Sequence, residues 1–171
     1  MGLKEDLGWV MALECDVTKH LFAKLPREDW QATLAYRPTE SQRSTLELLR
    51  FLSFCGFAGC LTCVEGNYGS WQRLSARADE MEADDFPVAM DRQKGEIAEI
   101  LDGLTEEDLA TRTAKNPPGQ ELILGRAFLD VPARWLTGYR MQLFLYARAL
   151  GADVWTPDCW YGISRERRPG S

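Results

Sequence analysis

Histidine is the residue that this sequence most nearly lacks, since His20 is the only one among its 171 residues. Histidine is the commonest metal ligand in proteins and the usual proton carrier near neutral pH. Its scarcity therefore argues against a histidine-based metal or acid–base site. No carboxylate or nucleophile can be assigned beside His20 from the sequence, so a surface or structural role is favoured over a role as general base.

Long apolar runs and an excess of positive charge are missing as well. The longest uncharged apolar stretch covers residues 51–64, which is shorter than the about twenty residues that a membrane-spanning helix needs. Charged residues at positions 4–6 interrupt the first apolar run, so no signal peptide is predicted. The formal net charge of −6 disfavours a general attraction to nucleic acid or to an anionic membrane. We therefore expect a soluble, cytoplasmic protein that binds neither.

Cysteine is present, but in a pattern that indicates no special chemistry. The count of five is odd and nothing in the sequence suggests export, so reduced thiols are expected. Cys60 and Cys63 form a C-x-x-C motif, which alone would be compatible with zinc binding or redox activity. No second cysteine or histidine pair lies at a useful spacing, and the motif falls in an apolar helical segment. Buried thiols that pack as small hydrophobic side chains are therefore favoured.

What remains is the composition of an ordinary globular protein, with 45% hydrophobic and 27% charged residues. A chain of this length can bury a hydrophobic core without a metal or a disulfide. We predict one domain over residues 1–164. Residues 165–171 combine three arginines with proline and glycine, and they are predicted to form a flexible basic tail.

Helical periodicity dominates the domain. Apolar residues recur at helical spacing in four long segments, which are residues 3–25, 44–66, 86–103 and 130–150. The second segment has the clearest start, because Ser44 and Glu47 form an S-x-x-E capping box, and Thr39 with Gln42 offers an alternative start. Gly66 is expected to end it. Two pairs of long helices joined by long connections predict an all-α fold, a four-helix bundle.

Other local signals refine this prediction. Residues 67–85 are acidic and irregular, and they are predicted to be a long mobile connection. Residues 111–125 are compatible with a small β-hairpin before the last helix. Pro132 fits a helix that starts at Asp130, but it should kink a helix that begins earlier. Gly56, inside an otherwise apolar helix, is expected to permit the close approach of a neighbouring helix or to leave space for bulky neighbours.

Several motifs resemble those of the DinB/YfiT-like family. The matching stretches are Arg37-Pro38 with Ser44–Leu49 at the start of the second helix, Leu104–Leu109 in an L-T-x-E-D-L turn, and Tyr139–Leu143 with Ala147–Gly151 in the last helix. The resemblance spans nearly the whole chain. It implies an up-down-down-up four-helix bundle that is often a homodimer, with a divalent metal at its centre.

The family's metal is typically held by three histidines, one on the second helix and two on the last. The matching positions are Phe51, Trp135 and Tyr139 here. Phenylalanine has no atom that coordinates a metal. Indole is only a hydrogen-bond donor, and a neutral phenol is a poor metal ligand. We therefore expect neither a family-type metal nor another cofactor, but an aromatic plug or an apolar pocket. Glu47 and Cys55 each lie one helical turn from Phe51 and are further candidates, although helix capping and core packing are favoured for them.

Three functions remain in competition. The leading hypothesis is a non-catalytic module that binds a small apolar ligand or a protein partner. The alternative is a metal-dependent enzyme similar to the family's thiol transferases or isomerases, with Cys55, Glu47 or Tyr139 as unusual ligands. A structural homodimer module is the third. For Trp135 and Tyr139, core packing is favoured over lining a pocket, and both interpretations stay open.

Overall fold

The computed structural model describes residues 2–164, and these are mainly helical. The helices are α1 (Leu3–Ala23), α2 (Trp30–Ala35), α3 (Thr45–Leu52), α4 (Cys55–Glu65), α5 (Gly69–Asp79), α6 (Phe86–Asp102), α7 (Glu106–Thr111), α8 (Leu124–Phe128), α9 (Arg134–Ala149) and α10 (Thr156–Tyr161). Four long segments form the bundle: α1, α3 with α4, α6, and α8 with α9. Because α1 packs against α6 and α9, and α4 packs against α6, their apolar faces enclose one main core. The predicted all-α four-helix fold is confirmed.

Local capping signals place the second segment. The Ser44 hydroxyl accepts a hydrogen bond from the Glu47 backbone N–H, and the Glu47 carboxylate accepts one from the Ser44 backbone N–H at 2.6 Å. Gly66 ends α4 with a φ of 71°, a left-handed conformation that glycine adopts without strain. The predicted start and end are therefore confirmed, and Thr39 with Gln42 belongs to a turn before the helix.

The second segment is nevertheless broken, whereas the sequence predicts a continuous helix. α3 ends at Leu52, α4 begins at Cys55, and their axes differ by 42°. The buried Gln93 side chain of α6 bridges the break. Its Nε2 donates to the Leu52 carbonyl at 2.9 Å, and its Oε1 accepts from the backbone N–H groups of Gly56 and Phe57. An amide offers both a donor and an acceptor, so Gln93 satisfies the backbone groups that the break leaves open.

The last segment begins earlier than Asp130. α8 runs into a π-helical turn, Leu129–Ala133, and this turn contains Pro132. Proline has no N–H to continue the normal helical pattern, so a wider turn accommodates it. The helix thus begins before Pro132, and the irregularity at the proline is a π-helical turn. A Cβ atom on Gly59 would lie 3.1 Å from Pro132, which shows how closely α4 packs on this turn.

Residues 67–85 do not form an irregular connection. They contain α5 and a 3₁₀ turn, Ala83–Asp85. Trp71, Leu74 and Ala78 follow helical spacing and face the second segment, where they pack with Phe54. The prediction of a mobile connection was wrong because the acidic composition masked this short apolar stripe.

The hairpin is confirmed. β1 (Thr113–Lys115) and β2 (Glu121–Ile123) pair antiparallel, with Ala114 opposite Leu122. The Asn116 side chain donates to the Asp130 carboxylate at 3.0 Å, which ties the turn to the start of the last segment.

Membrane insertion by one straight helix has no support within residues 2–164. No single helix there is long and apolar enough to cross a bilayer, and only the bent pair α3 and α4 meets the length and composition of a span together. The predicted basic tail, residues 165–171, lies outside the described residues.

Candidate functional site

The three residues that the family resemblance matches to metal ligands lie in one aromatic cluster. Phe51 on α3 contacts Tyr139 on α9, with ring centroids 4.5 Å apart. Trp135, one turn before Tyr139, joins the cluster through Trp71 of α5 at 5.4 Å, and Phe54 packs against Trp71 at 5.2 Å. These five residues are the aromatic cluster. The structure thus brings Phe51, Trp135 and Tyr139 together through ring contacts.

A cavity of about 510 Å³ opens beside this cluster. Its lining consists of Arg43, Phe51, Tyr68, Trp71, Gln72, Pro117, Trp135 and Tyr139. A hollow of about 560 Å³ shares Arg43, Phe51 and Trp71 with it, and another of about 910 Å³ shares Pro117, Trp135 and Tyr139. We call these three adjoining hollows the aromatic groove. Phe51, Trp71, Trp135 and Tyr139 are half-buried, so each presents part of a ring to the groove.

Arg43 lies over the aromatic cluster. Its guanidinium carbon is 4.1 Å from the centroid of Phe51 and 5.5 Å from that of Tyr139. The Tyr146 hydroxyl donates to the Arg43 carbonyl at 2.8 Å and thereby anchors this segment to α9. Sequence reasoning missed both Arg43 and Trp71. The helical spacing of Trp71, Leu74 and Ala78 was a usable signal for α5, but no local pattern marks Arg43.

Of the two further candidates, Glu47 lines the aromatic groove and Cys55 does not. Glu47 lines the hollow of about 560 Å³, where its carboxylate caps α3 and pairs with Arg37 at 3.2 Å. The hydrogen bond from the Ser44 backbone N–H, with Arg37 nearby, holds the pKa of Glu47 below its usual value. Cys55 is fully buried in the main core rather than in the lining of the groove, and burial raises its pKa well above the usual range.

A divalent metal does not fit the aromatic cluster. Such a site needs about three nitrogen, sulfur or carboxylate donors around one point. The cluster offers one phenol and two indoles, and an indole N–H cannot coordinate. Across residues 2–164, no three His, Cys, Asp or Glu side chains are grouped closely enough to hold a metal ion. The chain's own residues therefore disagree with the metal that the family resemblance implies.

The cysteines belong to the core. All five are buried and none forms a disulfide, as expected. Burial raises the pKa of Cys15 and of Cys63 to about 12, so both are protonated thiols near neutral pH. Cys60 contacts the Met11 sulfur at 3.9 Å. The C-x-x-C motif thus packs as apolar side chains do.

His20 has a partner that the sequence could not identify. Its Nε2 lies 2.7 Å from the carboxylate of Asp158, which is 1% exposed, and the pair joins α1 to α10. This position supports the structural role favoured for His20, because the pair is an inter-helix contact and neither residue lines the aromatic groove.

The bundle, its helix order and the hairpin before the last segment define a DinB-like fold. One solved structure with this fold is that of the DinB-like protein YjoA from Bacillus subtilis. It matches with a TM-score of 0.63 and 24% sequence identity, over 85% of this chain and 92% of that chain. In a comparison of sequences, the uncharacterized protein YjoA of Bacillus subtilis strain 168 is 28% identical over 138 residues, 80% of this chain and 83% of YjoA. No family model matches the chain. The predicted DinB-like resemblance is confirmed, and the relative's name assigns no activity.

Proposed function

We propose that this protein is a non-catalytic module that binds a small, mainly apolar ligand in the aromatic groove. The observation that carries the proposal is the cavity of about 510 Å³ lined by four half-buried aromatic side chains. Ligand sites are concave and mostly apolar, with volumes of roughly 300–1,000 Å³ and a few polar groups that orient the ligand. The four half-buried rings leave apolar surface that such a ligand can cover.

The polar groups of the groove also suit a ligand. The Tyr139 hydroxyl and the indole N–H groups of Trp71 and Trp135 form no hydrogen bond within residues 2–164. Tyrosine and tryptophan combine a large apolar surface with one polar group, which allows them to hold and orient an apolar molecule.

The alternative function, a metal-dependent enzyme, has few side chains available as metal ligands. Of its three candidate ligands, Glu47 is engaged in capping α3 and in pairing with Arg37, and Cys55 is a buried thiol with a raised pKa. Tyr139 would then have to act with no second donor at the cluster. These contacts support a binding role over a metal-dependent reaction.

Binding of 2-naphthamide, a neutral planar probe, tests the proposal by ligand-observed NMR titration. Trp135→Ala removes one wall of the cavity, and we expect roughly tenfold weaker binding. Trp9→Ala is the matched control, because Trp9 is 67% exposed on α1 and is not part of the groove. Circular dichroism verifies that both variants fold.

Two results would overturn the proposal. One is the absence of 2-naphthamide binding, or an equal loss in the Trp135 and Trp9 variants. The other is about one zinc, nickel or manganese ion per chain by elemental analysis, lost on Tyr139→Phe, which would favour the metal-dependent enzyme.

A further inference from the structure

Arg43 is held beside the groove without a direct ion pair, although its charge interacts with the nearby Glu47 carboxylate. No carboxylate of residues 2–164 forms an ion pair with it, and its guanidinium makes no hydrogen bond there. The neighbouring arginines, by contrast, have hydrogen-bond or ion-pair partners. Arg37 pairs with Glu47, and Arg50 donates to the Met81 carbonyl at 3.0 Å. Arg43 is thus a cation whose N–H donors remain available at the edge of an apolar cavity.

The segment that carries Arg43 is fixed in place. Gln142 donates to the Tyr146 hydroxyl at 2.7 Å, and this hydroxyl donates to the Arg43 carbonyl. Stacking over Phe51 further restricts the side chain. A guanidinium restrained in this way loses less conformational entropy when it binds an anion, because its planar donors are already oriented.

The position of Arg43 also excludes one class of ligand. Aromatic cages bind cations through the faces of their rings. Here a cation already lies over Phe51 and Tyr139, so a second positive charge would meet repulsion. A ligand with a flat apolar ring against Trp71 and Trp135 and a negative group near Arg43 matches both the aromatic rings and the cation of the site.

We propose that the ligand is an aromatic monocarboxylate, whose ring lies in the aromatic cavity and whose carboxylate pairs with Arg43. This proposal rests on the proposed function and names its ligand class. A single negative charge is favoured because Arg43 is the one charged residue that lines the cavity of about 510 Å³. In the adjoining hollow, the acidic residues Glu40, Glu47 and Asp79 would repel a second negative charge. A doubly charged phosphate would be matched by one free cation only.

The test compares 2-naphthoate, 2-naphthamide and 2-naphthyl phosphate, near neutral pH and at moderate salt, by the same NMR titration. We expect 2-naphthoate to bind about tenfold more tightly than 2-naphthamide, because charge-assisted hydrogen bonds are about twice as strong as neutral ones. Arg43→Gln should abolish this preference, which is measured as the ratio of the two affinities because Arg43 lines the cavity and its loss affects the binding of both probes. Arg92→Gln on α6, which removes the same charge from an exposed site away from the groove, should preserve the preference.

The outcomes separate the two proposals. Equal binding of 2-naphthoate and 2-naphthamide, or an undiminished preference in Arg43→Gln, overturns the carboxylate proposal and leaves the apolar groove standing. Tighter binding of 2-naphthyl phosphate than of 2-naphthoate overturns the choice of a monoanion. Failure of 2-naphthamide to bind overturns the proposed function itself.

Discussion

The two faces of α9 differ in whether their polar groups have hydrogen-bond partners within the protein. On the face toward α1, Arg140 is 1% exposed, and its guanidinium donates to the Glu14 carboxylate and to the Cys159 carbonyl. On the face toward the groove, the Tyr139 hydroxyl and the Trp135 indole N–H have no partner within residues 2–164. Neighbours in sequence, Tyr139 and Arg140, therefore stand in unlike environments.

This difference predicts which substitutions change stability and which change binding. A buried polar group without a partner costs about 1–3 kcal/mol, so the interior face must satisfy its own groups for the chain to fold. The groove face is half-exposed, and water can satisfy its polar groups until a ligand replaces it. We infer that substitutions on the interior face should change mainly stability, and those on the groove face mainly binding.

The largest effect is expected for Arg140→Met. Removing the guanidinium leaves the Glu14 carboxylate, only 12% exposed, without its cationic partner. Breaking a buried ion pair from one side typically costs about 3–5 kcal/mol of unfolding free energy. Urea unfolding should show this loss, whereas Arg43→Met on the groove side should change stability by about 0.5 kcal/mol or less.

The double variant Glu14→Leu/Arg140→Met is the control. Replacing a buried pair by apolar side chains is often nearly neutral, so the double variant should recover most of the lost stability. If Arg140→Met and Arg43→Met destabilise the fold equally, the two faces of α9 do not differ as proposed.

Acid should also weaken the α1 side through Asp158. Burial alone would raise its pKa, but hydrogen bonds from His20 and the Trp155 backbone N–H outweigh burial and hold the pKa of Asp158 below its usual value. A carboxyl group whose pKa is lower in the folded state stabilises the fold above about pH 4, and this contribution is lost as the pH falls through the folded pKa.

Asp158→Asn should therefore flatten the loss of stability below about pH 4, by up to about 1.4 kcal/mol per pH unit. Urea midpoints of both proteins, measured at several pH values from about 5 downward, give the two slopes. Parallel slopes would mean that Asp158 does not contribute to acid sensitivity, whatever the variant's stability at neutral pH.

Local signals in the sequence were sufficient for much of the fold. The capping box of Ser44 and Glu47 and the glycine at position 66 act within a few residues, so their effect is visible without the tertiary structure. The break between α3 and α4 is different, because it depends on Gln93, 37 residues beyond Gly56 in the chain. No periodicity in the second segment reveals a partner on another helix.

The candidate site likewise has residues that the sequence predicts and residues that it does not. The family resemblance placed Phe51, Trp135 and Tyr139 at matching positions, and the structure puts their rings in one cluster. Trp71 and Arg43 enter the site only because α5 and the segment before α3 pack over that cluster. Such proximity arises from the packing of segments distant in sequence, and spacing along the chain cannot predict it.

The smallest effect is expected for glycine-to-alanine substitutions that test how tightly each face of α9 is packed. A Cβ on Gly56 of α4 would lie 2.8 Å from the Leu136 side chain on the interior face, whereas a Cβ on Gly138 of α9 would meet nothing within 4 Å. Neither glycine has a positive φ, so alanine fits both backbones. In each helix, alanine is favoured over glycine by up to about 1 kcal/mol.

The two variants should therefore shift in opposite directions. Gly138→Ala should stabilise the fold by about 0.5–1 kcal/mol, since only the helix propensity changes. At Gly56 the same gain is opposed by overpacking against Leu136, which typically costs about 1–3 kcal/mol, so a net loss of about 1 kcal/mol is expected. Urea midpoints with unchanged slopes measure both shifts. Shifts of the same sign and size would show that the interior face of α9 is no more tightly packed than the groove face, and the structural distinction between Leu136 and Gly138 would fail.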